Sequence, residues 1–79
     1  MIVQIAGMGC AKCNKLYEMA VEATRDLGIV CEVVKAEKVV EIAKLGVTTT
    51  PALLVDGKIL LTGNLPTMEK MKEILQPYV

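Results

Sequence analysis

The sequence predicts an α/β domain, ordered β-α-β-α-β-β-α, with a mixed four-stranded sheet and helices on both faces. Three observations predict it. Short runs dense in aliphatic and β-branched residues alternate with segments of helical periodicity. The first two runs are separated by a long amphipathic stretch, as a right-handed parallel β-α-β crossover requires. The last two are separated only by Asp56-Gly57, a strong two-residue hairpin signal. We read all 79 residues as one domain, 1–79, with no linker, repeat or low-complexity tract.

Each element has its own justification. Ile2 to Ala6 is a short aliphatic run closed by Gly7 and Gly9, and reads as a buried strand. A helix follows from about Ala11 to Leu27. Leu16, Ala20, Ala23 and Leu27 form its apolar stripe, with Met19 and Val21 at the edges, and Gly28 is placed to stop it. Ile29 to Val34 is dense in β-branched residues and reads as the second strand. Ala36 to Leu45 reads as a shorter helix, its apolar side supplied by Val39, Val40, Ile42 and Ala43 and its end by Gly46. Val47 to Pro51 is a turn-forming connection. Ala52–Val55 and Lys58–Thr62 are the two hairpin strands. Pro66 suits the first turn of a closing helix, in which Met68, Met71, Ile74 and Leu75 are core-facing and which Pro77 stops.

Composition narrows the function classes. A chain of this size buries little more than about 60% of its unfolded surface, so it depends on efficient aliphatic packing. It is rich in Val, Ile, Leu, Ala and Met, and has neither Phe nor Trp. Nine basic and nine acidic residues balance, which argues against a nucleic-acid or membrane-surface partner. No apolar run approaches the roughly 18 residues of a membrane span. Met1 to Ala6 lacks the basic start and long apolar core of a signal peptide, so the expected compartment is the cytoplasm.

The chemistry concentrates in Gly7-Met8-Gly9-Cys10-Ala11-Lys12-Cys13. Three cysteines are too few for a disulfide framework. A Cys10–Cys13 ring would also be a weak staple, about 2 kcal/mol by loop entropy. Such a bond is better suited to being made and broken. Cys10 falls where the chain enters the first helix, so the unpaired N–H groups of the first turn favour its thiolate. Lys12 and Lys15 add positive charge, Lys12 being the candidate for pKa tuning. Cys13, one turn on, is spaced to close the ring. On this reading Cys10 attacks a partner's disulfide and Cys13 resolves the mixed disulfide. The competing reading is half of a zinc site, but the chain has no histidine, and Cys31 lies in an apolar run and reads as a small buried hydrophobe. We therefore assign no metal ligand in the leading reading.

The Cys-x-x-Cys at the end of strand one, followed by a helix, resembles the thioredoxin superfamily. So do Thr50-Pro51 leading into strand three, Gly46-Val47 before it, and Asp56-Gly57 and Gly63 after it. The resemblance spans nearly the whole chain, and in particular matches the short thioredoxin- and glutaredoxin-like redox-active disulfide proteins of archaea and bacteria. It implies a minimal thioredoxin-like fold and a small thiol–disulfide oxidoreductase with no bound cofactor. Its partners would be disulfide-containing protein substrates and a reductase or low-molecular-weight thiol as electron donor. Carried over residue by residue, Cys10 would be the nucleophile and Cys13 the buried resolving cysteine. Pro51 would be a cis-proline facing the pair, and the Thr50 backbone would pair with substrate.

Three positions depart from the family's pattern. Gly9 replaces the usual Trp, Ala11-Lys12 replaces the usual spacer, and Gln4 lies near the place of a buried acid. The resemblance therefore carries over neither a reduction potential, nor a proton route, nor a choice of donor. The same loop also fits the Gly-Met-x-Cys-x-x-Cys of soft-metal carriers for copper or zinc, which is the alternative function. Chain order opposes it, since those domains run β-α-β-β-α-β and end on a strand. Tyr17 is expected to pack beside the site.

Overall fold

Four consecutive buried residues, Ala52 to Val55, organise the molecule. Side chains alternate along a strand, so a strand buried throughout must have protein on both faces. The computed structural model describes residues 1–9 and 11–79. Its elements are β1 (Ile2–Ala6), α1 (Ala11–Leu27), β2 (Glu32–Ala36), α2 (Val39–Lys44), β3 (Ala52–Val55), β4 (Lys58–Thr62) and α3 (Met68–Leu75), with a 3-10 turn over Gln76–Tyr78. The sheet order is β2-β1-β3-β4. The β1–β2 pair is parallel, and β1–β3 and β3–β4 are antiparallel. The α/β class, the element order and the mixed four-stranded sheet expected from the sequence are those observed.

Two apolar clusters lie on opposite faces of this sheet. Leu53 and Val55 join Val3 and Ile5 of β1, Leu16, Met19, Ala20 and Ala23 of α1, and Met71 and Leu75 of α3. Ala52 and Leu54 join Ala6, Ala36, Val47 and Ile42 of α2. The period of two in β1 and β3 thus divides the core between a thick layer under α1 and α3 and a thin one under α2. A register irregularity between Leu53 and Leu54 lets β4 pass from Leu61 to Ile59, with Leu60 the extra residue. Leu60 and Leu61, though adjacent, both pack on the larger cluster.

Local chemistry sets the element ends. At the end of α1 the Gly28 N–H bonds to the Arg25 carbonyl and the Ile29 N–H to the Thr24 carbonyl. With Gly28 at φ +72° this is a Schellman ending. The hairpin residues Asp56 and Gly57 both have positive φ, as a type I′ turn requires. Asp56 also ties the turn to β1, its Oδ1 accepting from the Ile2 N–H at 2.8 Å. Thr67 caps α3, its Oγ1 accepting from the Lys70 N–H at 3.1 Å.

Four expectations need correction. Strand two starts at Glu32 rather than Ile29, because the Ile29 N–H is committed to the helix end and β2 takes its register from β1, Ile2 beside Glu32 through Ala6 beside Ala36. Cys31 consequently precedes the strand; it is half-buried against the larger cluster. The second helix begins at Val39, not Ala36, which is the last strand residue, and only Ile42 of α2 is buried. Val39 and Val40 are 60% and 64% exposed, since one turn and a half of helix can present only one residue to a flat sheet. Pro66 lies ahead of the α3 cap rather than inside its first turn.

Replacing the fully buried Leu53 by Ala leaves a cavity at the centre of the sheet. It should lower unfolding free energy by about 2–5 kcal/mol, read from the denaturant midpoint.

Candidate active site

The site is assembled where four strand ends meet the start of α1. Parallel β1 and β2 finish together, and the Gly7 N–H donates to the Ala36 carbonyl at 2.9 Å. On the other side β1 runs antiparallel to β3, with Ala6 opposite Ala52. The Pro51 carbonyl accepts from the Gly63 N–H at 2.9 Å, which joins the end of β4 to the start of β3.

Cys13 is buried on the sheet-facing side of α1, 4% exposed. It sits against the end of β1. A Cβ placed on Gly7 would overlap the Cys13 Sγ and come within 2.8 Å of its Cβ. Gly7 has no φ in the left-handed region; the reason for glycine there is that a sulfur occupies the space of its missing side chain. Gly9 is different: at φ +78° it adopts a conformation that costs other residues roughly 1–2 kcal/mol.

The remaining expected site residues can be located in turn. Cys10, the expected nucleophile, lies outside the described residues. Pro51 is buried, Thr50 before it is exposed, and the bond between them is cis. Gly63, at φ +84°, packs close under Thr49, whose methyl lies 3.3 Å from where a Cβ would be. Lys12 and Lys15 are exposed along the start of α1. Tyr17 is half-buried against the larger core cluster, with the Lys35 ammonium 4.7 Å from its ring centre. Gln4 is half-buried and lines an open cleft of about 400 Å³ with Glu41 and Lys44.

One neighbour had no sequence signal. The Glu37 carboxylate reaches back from the residue after β2, its Oε2 3.6 Å from a Cβ built on Gly9. A charged residue just past a strand looks like any solvated link; only the shared ending of β1 and β2 brings it to the loop. Among the described residues no group of three or more His, Cys, Asp or Glu side chains could hold a metal ion. The described chain also closes on α3 and a 3-10 turn instead of the final strand of the soft-metal carriers.

Two glycine substitutions separate these causes. Gly7→Ala forces the Cys13 side chain to move and should cost about 1–3 kcal/mol of stability, as overpacking does. Gly9→Ala should cost about 1–2 kcal/mol through backbone strain alone. Denaturant unfolding measures both, and ultraviolet detection of disulfide-ring closure by a chemical oxidant should be slowed by the first far more than by the second.

Comparison with known proteins agrees with the geometry. A family profile described as a thioredoxin domain matches residues 1–76. A thioredoxin of Methanocaldococcus jannaschii is 41% identical over 78 residues, covering 99% of this chain and 90% of its own length. A thioredoxin of Methanothermobacter thermautotrophicus is 40% identical over 75 residues, covering 95% of this chain and 97% of its own. With a β-α-β start, a buried cysteine at the head of α1 and a cis-proline just before β3, this chain belongs to the thioredoxin family.

Proposed function

We propose that this thiol–disulfide oxidoreductase exchanges electrons with protein disulfides through Cys10 and Cys13. One observation supports the pair: the Cys13 sulfur is buried against Gly7, at the start of the helix that follows Cys10 in the chain. A sulfur so placed is shielded from bulk thiols. That is the requirement for a resolving cysteine.

The reaction balances as two exchanges. The Cys10 thiolate attacks one sulfur of the substrate disulfide; that S–S bond breaks, and the other substrate sulfur leaves as a thiolate that takes up a proton. The Cys13 thiol loses its proton and attacks the Cys10 sulfur of the mixed disulfide. The Cys10–Cys13 bond forms and the second substrate sulfur leaves, so two electrons and two protons have passed to substrate. A reductase or a low-molecular-weight thiol returns the pair to the dithiol. No bound cofactor is needed, because the electrons travel as sulfur–sulfur bonds.

The remaining residues take supporting roles. Thr50 is exposed and its backbone, beside the buried Pro51, is free to pair with an extended substrate segment. Lys12 lends positive charge to the first turn of α1, where the helix dipole also favours a thiolate. The whole chain, 1–79, works as one domain, and among the described residues no helix is long and apolar enough to cross a membrane. A reducing cytoplasm is the compartment in which such a dithiol persists.

With a dithiol donor present, the purified protein should reduce insulin disulfides, measured by turbidity. Cys10→Ser should abolish turnover, and Cys13→Ser should trap the substrate as a mixed disulfide visible by mass spectrometry. Absence of turnover by the wild-type protein with dithiol, glutathione and thioredoxin reductase as donors would overturn the assignment.

A further inference from the structure

We propose that the cleft between α1 and the link from β4 into α3 is a docking groove for the disulfide-bearing protein substrate, taking one apolar side chain with an acidic residue beside Lys15 and a basic one beside Glu22. The inference rests on the disulfide exchange of the preceding section and names the feature by which that exchange selects its substrate.

The cleft is open and about 480 Å³ in volume. Met19, Leu65, Pro66 and Met68 supply its apolar lining, and Lys15 and Glu22 stand along it on α1. Met19 belongs to the larger core cluster and Met68 packs on it, so the floor is continuous with the core. Leu65, 37% exposed, leaves an apolar wall facing solvent. Unbranched methionine side chains adapt to the shape of an incoming group. The wall opposite α1 is held in place, because Pro66 has a fixed φ and Thr67 caps α3, its Oγ1 accepting from the Lys70 N–H at 3.1 Å. A groove formed in advance loses little entropy when it is filled.

The charges fit a polypeptide. Lys15 and Glu22 are both exposed. Their separation in sequence is close to two helical turns, so they stand on one side of α1, about 10.5 Å apart along its axis. They are too far apart to pair with each other. Among the described residues neither is in an ion pair, whereas Asp26 pairs with Lys72 at 3.2 Å and Lys70 with Glu73 at 3.9 Å. Segment 62–67 contains no ionisable side chain to compete for either charge. An apolar trough with one unpaired cation and one unpaired anion along it is complementary to a chain carrying an acid, an apolar residue and a base in that order. Extended chain rises about 3.3 Å per residue, so roughly three or four residues span the distance.

Position supplies a second argument. Leu65 is two residues past Gly63, whose N–H bonds to the Pro51 carbonyl at 2.9 Å. Lys15 is two residues past the buried Cys13. The cleft therefore starts beside the backbone proposed to pair with substrate and runs away from it along α1. A substrate chain pairing at Thr50 has only the 63–66 link to cross before it reaches the groove.

The test uses short peptides, each with one cysteine held as a disulfide to cysteamine and every other position Gly or Ser. A single Leu is placed from two to eight residues away on either side of the cysteine. The reduced full-length protein is the reductant, and kcat/KM is read by mass spectrometry. One or two Leu positions should raise kcat/KM about fivefold over the Leu-free peptide, less than full burial of a leucine gives, because the cleft is open. In Met68→Gln, which keeps the length of the side chain, that ratio should fall to about one. Flanking the preferred Leu with Glu on one side and Lys on the other should add about twofold in one order and not in the reverse. The double variant Lys15→Glu, Glu22→Lys should exchange the two orders. Ratios are taken within each variant, so any change in the chemistry of the dithiol cancels. A scan flat in Leu position, with turnover intact, would overturn the groove and leave the exchange standing. A dimer in sedimentation that Met68→Gln dissolves would give the cleft to a second copy and overturn it too. Wild-type protein that reduces none of the peptides would remove both readings.

Discussion

A sulfur packed on a bare Cα is the contact on which the functional end of this molecule depends. Cys13 can lie on the sheet side of α1 only because Gly7 offers no side chain there. That contact fixes how closely the helix start approaches the end of β1. It does so at the point where β1 is hydrogen-bonded to the end of β2 and lies opposite the start of β3.

The sheet turns that local contact into a rigid one. β1 is central, with a parallel partner on one side and an antiparallel one on the other. Its odd-numbered residues feed the core under α1, while Ala6 feeds the core under α2. Displacing the end of β1 would therefore disturb both cores. The fully buried Pro51 and the Gly63 bond to its carbonyl extend the same anchoring to β4. The loop thus stands on a backbone held from three sides, while its own exposed residues, Met8 and Gly9, remain on the surface.

Asymmetry between the two faces has a functional side as well. The α1–α3 face carries most of the core, including Leu16, Met71 and Leu75 at zero exposure. The α2 face is thin. Its six-residue helix buries Ile42 and leaves Val39 and Val40 in solvent. A chain of 79 residues cannot cover both faces equally, and the thicker layer lies under the helix that carries Cys13.

Much of this was legible from the residues alone. β1, α1, β3 and β4 were read with their observed limits, because period-two runs, a long amphipathic stripe, Gly28 and Asp56-Gly57 are signals contained within a few residues of chain. Cys13 and Pro51 were legible for the same reason, as members of short motifs. The limits of β2 and α2 were not: Ile29 through Ala36 is apolar apart from Glu32 and Lys35, and only pairing with β1 selects Glu32–Ala36 as strand. The sequence by itself determined which segments are strands and helices, since those depend on local periodicity and turn chemistry. The tertiary structure alone decided the strand register, the overlap that makes Gly7 obligatory, and the arrival of Glu37 at the loop. The register and the arrival of Glu37 rest on contacts between residues distant in the chain, and the Gly7–Cys13 overlap on how α1 is set against the end of β1; no local pattern encodes them.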